Sequence, residues 1–321
     1  MADDSPIEIS PPDIARYRAG NAGIEHVFSF DSGKPGPHVA LSAIVHGNEL
    51  CGAIALDFLL REGLRPPQGR LSYIFCNVAA YLSFDPAQPS ASRFIDEDFN
   101  RVWTPEVLDG SRSSVELSRA RELRPLIDSV DFLLDIHSMQ HATAPLLMVG
   151  PLEKGRDFAR EIGTPETVVC DEGHAAGRRM RDYGGFGDKH SPKNALLVEC
   201  GQHWERGSVP VAIETALAFL GRFAIIDDAF LARHRPRGPA GARRFAPQRV
   251  VEVTDAVTIG SDSFTFTQDF NGLEVIARQG TVIGHDGGEP VRTPYDNCVL
   301  VMPSRRLSKG QTAVRLGRYI A

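Results

Sequence analysis

The segment Val39-Ala40-Leu41-Ser42-Ala43-Ile44-Val45-His46-Gly47-Asn48-Glu49-Leu50 joins a short apolar run to a histidine and a glutamate, and an apolar, alanine-rich segment follows at once. This pattern predicts a buried strand over residues 39–45, a loop, and a helix over residues 51–62. Histidine and glutamate are both zinc-ligand types. At the carboxyl end of a strand their spacing lets imidazole and carboxylate meet at one ion. The pattern also fits a polar loop in which Asn48 or Glu49 caps the helix.

Strand-like and helix-like segments alternate along the chain from His38 onward. The alternation predicts an α/β fold, in which helices cover a mixed, mostly parallel sheet. Further strands are expected at residues 71–77, 132–137, 146–149 and 195–199, and helices at 113–130 (interrupted or bent near Pro125), 154–163 and 209–223.

Composition divides the chain into three parts. Residues 1–37 are expected to form an N-terminal extension with one strand near residues 26–30, and residues 38–232 an α/β domain. A stretch rich in Arg, Pro and Gly follows at 233–248. Short strand-like runs separated by turn residues then predict a small all-β domain at 246–321. Its turn at residues 280–284 is similar to those of barrel-sandwich domains. No lysine lies at a hairpin tip there, so we do not expect this region to carry a covalently attached cofactor.

Composition and charge exclude several classes of function. The chain has 321 residues, a net charge of −6, and no apolar run near the roughly 20 residues that a membrane helix needs. We therefore expect neither a nucleic-acid nor a membrane partner. The N-terminus lacks the features of a secretory signal, and five scattered cysteines without a Cys-x-x-Cys pair suit reduced thiols in a cytoplasm. Assembly into a homo-oligomer is left open.

A second metal-site candidate follows the strand at residues 132–136. His137 ends this apolar strand, and Asp135 lies on the same face, where it could orient the imidazole. Together with His46 and Glu49, His137 would complete two histidines and one carboxylate. This ligand set leaves a position open for water, as in catalytic zinc sites. The alternative is that His137 has only a structural role at the end of its strand.

Two more segments carry polar residues toward the same edge. Glu199 ends the apolar run at residues 195–198, where a buried carboxylate is costly unless it faces a site or a partner. It could act as a general base or form a salt bridge. The loop at residues 92–103 offers Arg93, Asn100 and Arg101 for binding a carboxylate or an oxyanion. The alternative is a charged surface loop whose Asp and Glu residues pair with its own Arg residues.

The chain resembles the succinylglutamate desuccinylase/aspartoacylase family, relatives of the zinc carboxypeptidases. The resemblance spans residues 38 to about 225. It rests, in order, on His46-Gly47-Asn48-Glu49, on Arg93 with Asp98-Phe99-Asn100-Arg101, on Asp135-Ile136-His137 and on Glu199. It implies a zinc-carboxypeptidase-like three-layer domain and a C-terminal β domain.

The same resemblance implies a role for each matching residue. His46, Glu49 and His137 would bind one zinc ion per chain, and Glu199 would be the general base and proton shuttle. Arg93 would polarise the scissile carbonyl, while Asn100 and Arg101 would hold a substrate carboxylate.

Two further substrate contacts are implied but align less well. Tyr295 is the C-terminal tyrosine that the family pattern suggests, and Arg178 represents an arginine before the base. The loop at residues 173–194 departs from the family pattern, being longer and glycine-rich. His174, His190 and His203 flank it, and we expect them to face solvent.

The expected reaction is zinc-dependent hydrolysis of the amide bond of a small-molecule N-acyl amino acid, of the desuccinylase or deacylase type. Water activated by the metal would attack, with Glu199 as general base. A metallo-carboxypeptidase or an ester hydrolase could use the same site. A non-catalytic metal-binding protein on this scaffold is the alternative from another class. The sequence leaves the acyl group and the amino acid open.

Overall fold

A computed structural model describes residues 5–173, 176–234 and 247–320 of the chain. Within them the strands are β1 (Val27–Asp31), β2 (His38–Ala43), β3 (Arg70–Phe75), β4 (Phe132–Met139), β5 (Leu146–Met148), β6 (Thr167–Cys170), β7 (Asn194–Gln202), β8 (Arg249–Thr258), β9 (Phe264–Phe266), β10 (Val275–Ile276), β11 (Val282–Asp286), β12 (Glu289–Arg292), β13 (Cys298–Val301) and β14 (Thr312–Ile320). The α-helices are α1 (Leu50–Arg61), α2 (Val78–Leu82), α3 (Pro105–Leu108), α4 (Val115–Ser129), α5 (Glu153–Ile162), α6 (Ser208–Arg222) and α7 (Asp228–His234).

One large sheet organises the described chain, in the order β1-β3-β2-β4-β7-β5-β6-β8-β14-β13-β10. Its centre is parallel: β3, β2, β4 and β7 pair side by side in one direction. Other pairs, including β1 with β3, β5 with β7 and β8 with β14, are antiparallel. The carboxyl ends of β2, β4 and β7 consequently lie together, which is where parallel sheets carry their sites.

Helices cover both faces of the central strands, because side chains alternate between the faces along each strand. Leu41, Leu134 and Leu196 face one side and pack in one cluster with residues of α1, α5 and α6. Their neighbours Leu133 and Ala195 face the other side and pack with α4. The predicted three-layer α/β architecture with a mixed sheet is confirmed.

The C-terminal strands form an antiparallel region, as expected. A second sheet of order β12-β11-β9 packs on β13 and β14 through a cluster that includes Ile283, Leu300 and Val314. However, β8 pairs in parallel with β6, so the large sheet runs on from the N-terminal part of the chain into this region. The division into domains at 38–232 and 246–321 therefore stays a prediction, and much of the predicted break at 233–248 lies outside the described residues.

Some local expectations differ from the structure. Helix α4 continues through Pro125 to Ser129 without a break. The N-terminal extension is pinned to the core: Tyr17 donates to Asp57 of α1 at 2.7 Å, and Tyr81 of α2 donates to the Pro12 carbonyl at 2.7 Å. None of the described helices is both long and apolar enough to cross a membrane. All five cysteines are buried, free thiols.

Candidate active site

His46 and Glu49 lie in a sharp turn between β2 and α1. The chain leaves β2 through Ile44, whose φ of 53° is in the left-handed region, and the Asn77 N–H holds the Ile44 carbonyl at 2.9 Å. A β-branched residue adopts this conformation only where its surroundings enforce it. The turn directs both side chains inward, and the His46 and Glu49 residues are 5% and 1% exposed.

His137 approaches the same point from β4, where it is 1% exposed. Its Nε2 lies 2.8 Å from Asp135 Oδ2, and Ser42 on β2 donates to the other oxygen of Asp135 at 2.6 Å. A carboxylate on one imidazole nitrogen fixes the ring so that the other nitrogen can bind a metal. The prediction that Asp135 orients His137 agrees with this geometry.

These three side chains form a group that could hold a metal ion. The Nδ1 atoms of His46 and His137 lie 2.7 and 2.9 Å from the two carboxylate oxygens of Glu49. One ligand atom from each residue falls within 4.8 Å of the others. Two imidazoles and a carboxylate are a donor set that zinc accepts, with room for a further ligand. The residues present therefore fit a divalent metal ion.

The carboxylates and imidazoles of this group shift one another's pKa values. Burial alone would raise the pKa of Glu49, but His46 and His137 lower it well below its usual range. Burial would likewise lower the pKa of His137, yet Asp135 and Glu49 raise it well above its usual range. Because the two carboxylates stabilise the protonated imidazole, a metal ion that binds Nδ1 of His137 has to displace a proton.

Glu199 lies beside this group on β7, directly opposite His137 in the strand register. The residue is 6% exposed, and among the described residues no hydrogen-bond partner reaches its Oε2. Burial, reinforced by the charge of Glu49, raises its pKa well above the usual range. A buried carboxyl with an unused oxygen at a cleft is suited to proton transfer rather than to structural pairing.

Arg93 and Asp98 reach His46 from the segment between α2 and α3. The Arg93 NH2 lies 2.8 Å from His46 Nε2 and donates to Asp98 at 3.2 Å, while Asp98 Oδ1 lies 3.1 Å from the same imidazole nitrogen. Although burial opposes the charge, His46 and Arg93 hold the pKa of Asp98 well below its usual range. The guanidinium is thereby fixed at the edge of the metal-binding group.

Asn100 and Arg101 follow in the same loop and also line the cleft. The Asn100 side-chain oxygen accepts the Met180 N–H at 3.0 Å, so its Nδ2 remains as the donor, 3.5 Å from His137 Nε2. Burial lowers the pKa of Arg101 to about 10, which leaves the guanidinium charged at neutral pH.

The site opens into a cleft of about 550 Å³, whose floor carries His46, Glu49, His137 and Glu199. The C-terminal region closes one side, with Asn271, Met302, Arg306 and Arg315 among the lining residues. The Arg306 guanidinium donates to the Ser90 carbonyl at 3.1 Å, so this wall is tied to the loop that carries Arg93.

Two residues expected in the substrate pocket do not line this cleft. The Tyr295 hydroxyl hydrogen-bonds Thr254 at 2.6 Å, and the ring packs in the C-terminal β region beneath Arg318. Arg178 is exposed, its backbone forms a β-bridge with Val102, and it is not among the residues that line the cleft. Arg179, the residue after Arg178, lines the cleft instead, and the substrate roles of Tyr295 and Arg178 stay predictions.

Sequence reasoning also missed residues at the cleft. His203 is 2% exposed rather than solvent-facing, and its Nδ1 lies 2.9 Å from Ser138 Oγ. Ser138 in turn donates its backbone N–H to Glu49 at 3.2 Å. His190 is exposed, as expected, and His174 lies outside the described residues. Arg315 on β14 carried no sequence signal beyond an ordinary strand position.

Comparison with known proteins agrees with this arrangement. The sequence model of the succinylglutamate desuccinylase/aspartoacylase catalytic domain matches residues 35–209, more than half of the chain. A succinylglutamate desuccinylase from Pseudoalteromonas atlantica is 22% identical over 298 residues, which cover 86% of this chain and 79% of that protein. An N-acyl-aromatic-L-amino acid amidohydrolase (carboxylate-forming) from Rattus norvegicus is 32% identical over 126 residues, covering 36% and 38% of the two chains.

Solved structures share the fold. A succinylglutamate desuccinylase from Vibrio parahaemolyticus superposes with a TM-score of 0.64 at 19% identity, over 93% of this chain and 87% of that one. A succinylglutamate desuccinylase/aspartoacylase from Rhodobacter sphaeroides gives 0.60 at 19% identity, over 90% and 87%. With the family model matched across the strands and loops that build the site, the chain belongs to the succinylglutamate desuccinylase/aspartoacylase family.

Proposed function

We propose that the protein is a zinc-dependent hydrolase that cleaves the amide bond of an N-acyl amino acid. One observation carries the proposal: His46, Glu49 and His137 offer ligand atoms within 4.8 Å of one another, beside a buried Glu199 whose Oε2 has no hydrogen-bond partner among the described residues. Relatives whose names describe amide hydrolysis, a desuccinylase and an N-acyl amino acid amidohydrolase, support the same reaction class.

The metal and the protein divide the chemistry between them. His46, Glu49 and His137 would hold a divalent ion, and that ion would supply a Lewis acid for polarising a carbonyl and lowering the pKa of water. Asp135 keeps His137 in the orientation that such binding requires. Ser138, through its N–H on Glu49, restrains the carboxylate between the two imidazoles.

Glu199 is the proposed general base and acid. Burial raises its pKa above the usual range, so the carboxyl takes up a proton more readily than an exposed glutamate would and can then return it. It would accept the proton of the attacking water and then donate a proton to the amide nitrogen. The products are a free amino acid and a carboxylate.

Arg93 is proposed to stabilise the oxyanion that forms at the attacked carbonyl. Its guanidinium is charged and held by Asp98 and His46, so it needs little reorganisation when negative charge develops. Asn100 and Arg101 would bind a substrate carboxylate through the amide Nδ2 and the guanidinium. A carboxylate fixed there would hold the amide in attack geometry.

The size of the cleft favours small substrates. Its volume of about 550 Å³ and the wall formed by Met302, Arg306 and Arg315 suit an acyl amino acid better than a long peptide. Ester hydrolysis and carboxypeptidase activity on short peptides use the same groups, and they are alternative outcomes of the test. Zinc binding without turnover of any compound would instead indicate a non-catalytic metal-binding protein.

The test is a panel of N-acetyl, N-succinyl and longer N-acyl amino acids, with matching esters and dipeptides, assayed on the zinc-loaded protein for released amine or alcohol. We expect turnover of at least one N-acyl amino acid above that of every ester and dipeptide. Glu199→Gln should retain its zinc and lose at least about a hundredfold in kcat, since general acid–base catalysis contributes that much. Full turnover by zinc-loaded Glu199→Gln would overturn the role of Glu199.

A further inference from the structure

Glu116 is a fully buried carboxylate near the start of helix α4, with 0% of the residue exposed. An acidic residue in the first helical turn ordinarily faces solvent or the amides of its own helix. Burying a carboxylate is costly unless its charge is matched by hydrogen bonds. The position of Glu116 therefore calls for partners that use the charge.

Four donors from outside the helix surround this carboxylate. The Ile95 N–H and the Asn77 side-chain amide donate to Oε1 at 2.7 and 3.0 Å. The Asp96 and Glu97 N–H groups donate to Oε2 at 3.0 and 3.2 Å. Three consecutive backbone amides thus converge on one anion, an arrangement that fixes the backbone conformation of the segment.

The segment returns these contacts to the helix. Asp96 Oδ2 accepts the Val115 N–H at 2.7 Å, and Glu97 accepts the Ser114 hydroxyl. Because donors and acceptors run in both directions, residues 95–97 and the first turn of α4 form one rigid unit.

The cradled segment lies between two residues of the candidate active site. Arg93 precedes it by two positions and Asp98 follows it directly, and both side chains meet at His46 Nε2. We propose that Glu116 is a positioning residue that sets Arg93 and Asp98 against the metal-binding group. This inference rests on the proposed function, in which Arg93 stabilises the oxyanion.

Glu116→Gln is the informative variant, because it keeps the size of the side chain while removing one acceptor and the charge. Four donors then share a single oxygen, so the segment loses part of its cradle. We expect kcat/KM to fall about a hundredfold, mostly through kcat, since small displacements of catalytic groups cost that much. The zinc content should stay at one ion per chain.

Asp57→Asn is the matched control. Asp57 is another buried helical carboxylate, 4% exposed, but it accepts a hydrogen bond from Tyr17 of the N-terminal extension and is not among the described residues that line the cleft. It should lower the unfolding midpoint much as Glu116→Gln does and leave kcat/KM within about twofold. The pair therefore separates a loss of stability from a loss of positioning.

A double-mutant cycle with Arg93→Ala tests the route by which Glu116 acts. If the effect passes through Arg93, adding Glu116→Gln to Arg93→Ala should lower kcat little further, whereas independent roles would multiply. Amide hydrogen exchange adds a readout that needs no turnover. Exchange of residues 95–97 should accelerate in Glu116→Gln and remain slow in Asp57→Asn.

Unchanged exchange at residues 95–97 in Glu116→Gln overturns the inference whatever the reaction proves to be. Normal kcat in that variant, with the wild type active, overturns the positioning role alone. If the wild type turns over no N-acyl amino acid, the proposed function is wrong, whereas the exchange experiment still tests the role of Glu116. Should Glu116→Gln fail to fold, Glu116→Asp, which keeps the charge but withdraws it from the amides, takes its place with the same expected kcat loss and faster exchange.

Discussion

Replacing Asp135 with asparagine should weaken zinc binding about 10- to 100-fold, because Asp135 touches the metal-binding group only through His137. The carboxylate is completely buried, and it holds His137 Nε2 at 2.8 Å and the Ser42 hydroxyl at 2.6 Å. Asparagine preserves the volume and one acceptor. It removes the charge that makes the imidazole a stronger ligand, and it allows the ring to lose its preferred orientation.

The magnitude follows from the geometry. The contact at 2.8 Å is a charge-assisted hydrogen bond, and hydrogen bonds to charged groups contribute about 1.5–3 kcal/mol. At about 1.4 kcal/mol per tenfold change, this range corresponds to about one to two orders of magnitude in the dissociation constant for zinc. The histidines and Glu49 remain, so binding should weaken rather than vanish.

The assay is competition for zinc against a chromophoric chelator, with wild type, Asp135→Asn and Asp57→Asn compared at one pH. Asp57→Asn also replaces a buried aspartate, which is 4% exposed but does not touch the metal-binding group, so its zinc affinity should match the wild type. An unchanged dissociation constant in Asp135→Asn would refute the reasoning that this carboxylate supports His137 as a ligand.

Two further predictions concern stability. Burial lowers the pKa of His38 to about 4, against 6.5 for the free side chain. The unfolded chain therefore binds more protons between these values, and His38 should cost about 3 kcal/mol of stability as the pH falls from about 6.5 to about 4. In His38→Gln the free energy of unfolding, measured with urea at pH 4.5 and pH 7, should change less between the two pH values than in the wild type. An equal change in both proteins would show that groups other than His38 cause the pH dependence. In Gly47→Ala the new Cβ would lie 2.3 Å from the Ala80 carbonyl carbon and 2.4 Å from the Ser92 oxygen, both backbone atoms. The free energy of unfolding should therefore fall by about 1–3 kcal/mol, and the affinity for zinc should drop. Gly207→Ala, whose Cβ meets nothing nearer than 3.9 Å, is its control, and equal stability of the two variants would contradict the prediction.

The central strands and the metal-binding corner could be predicted because their signals are local. Apolar runs bounded by polar residues mark β2, β4 and β7, and the functional side chains directly follow or end those runs. His46, Glu49, His137 and Glu199 then come together because parallel strands bring their carboxyl ends to one edge.

Other features depend on contacts that local patterns do not carry. His203 turns into the cleft because the register of β4 and β7 shifts after His137, and Gly201 at φ 118° lets the chain bend there. Such an irregularity redirects the side chains that follow it. Gly201 is its local signal, since an isolated glycine in a strand suggests a bulge, but the glycine alone does not indicate which side chain will enter the cleft. Arg178 and Arg179 are sequence neighbours, so only the backbone path decides which one lines the cleft.

The C-terminal region shows the same limit at a larger scale. Its change in texture predicted short strands correctly, but the parallel pairing of β8 with β6 joins segments far apart in sequence. The family resemblance implies Tyr295 as a substrate contact, whereas in the structure this residue lies between β12 and β13 and its hydroxyl hydrogen-bonds Thr254. The cleft wall is built by other residues of this region, including Arg306 and Arg315.

Calorimetric titration of the metal-free protein with zinc tests the central claim most directly. The account predicts one ion per chain for the wild type and also for Glu199→Gln, because Glu199 is assigned to proton transfer and not to metal binding. Glu49→Gln should bind none at the same concentrations, since Glu49 bridges the two imidazoles at 2.7 and 2.9 Å. Equal binding by Glu49→Gln, or loss of binding in Glu199→Gln, would contradict the assignment of the ligands and of the base.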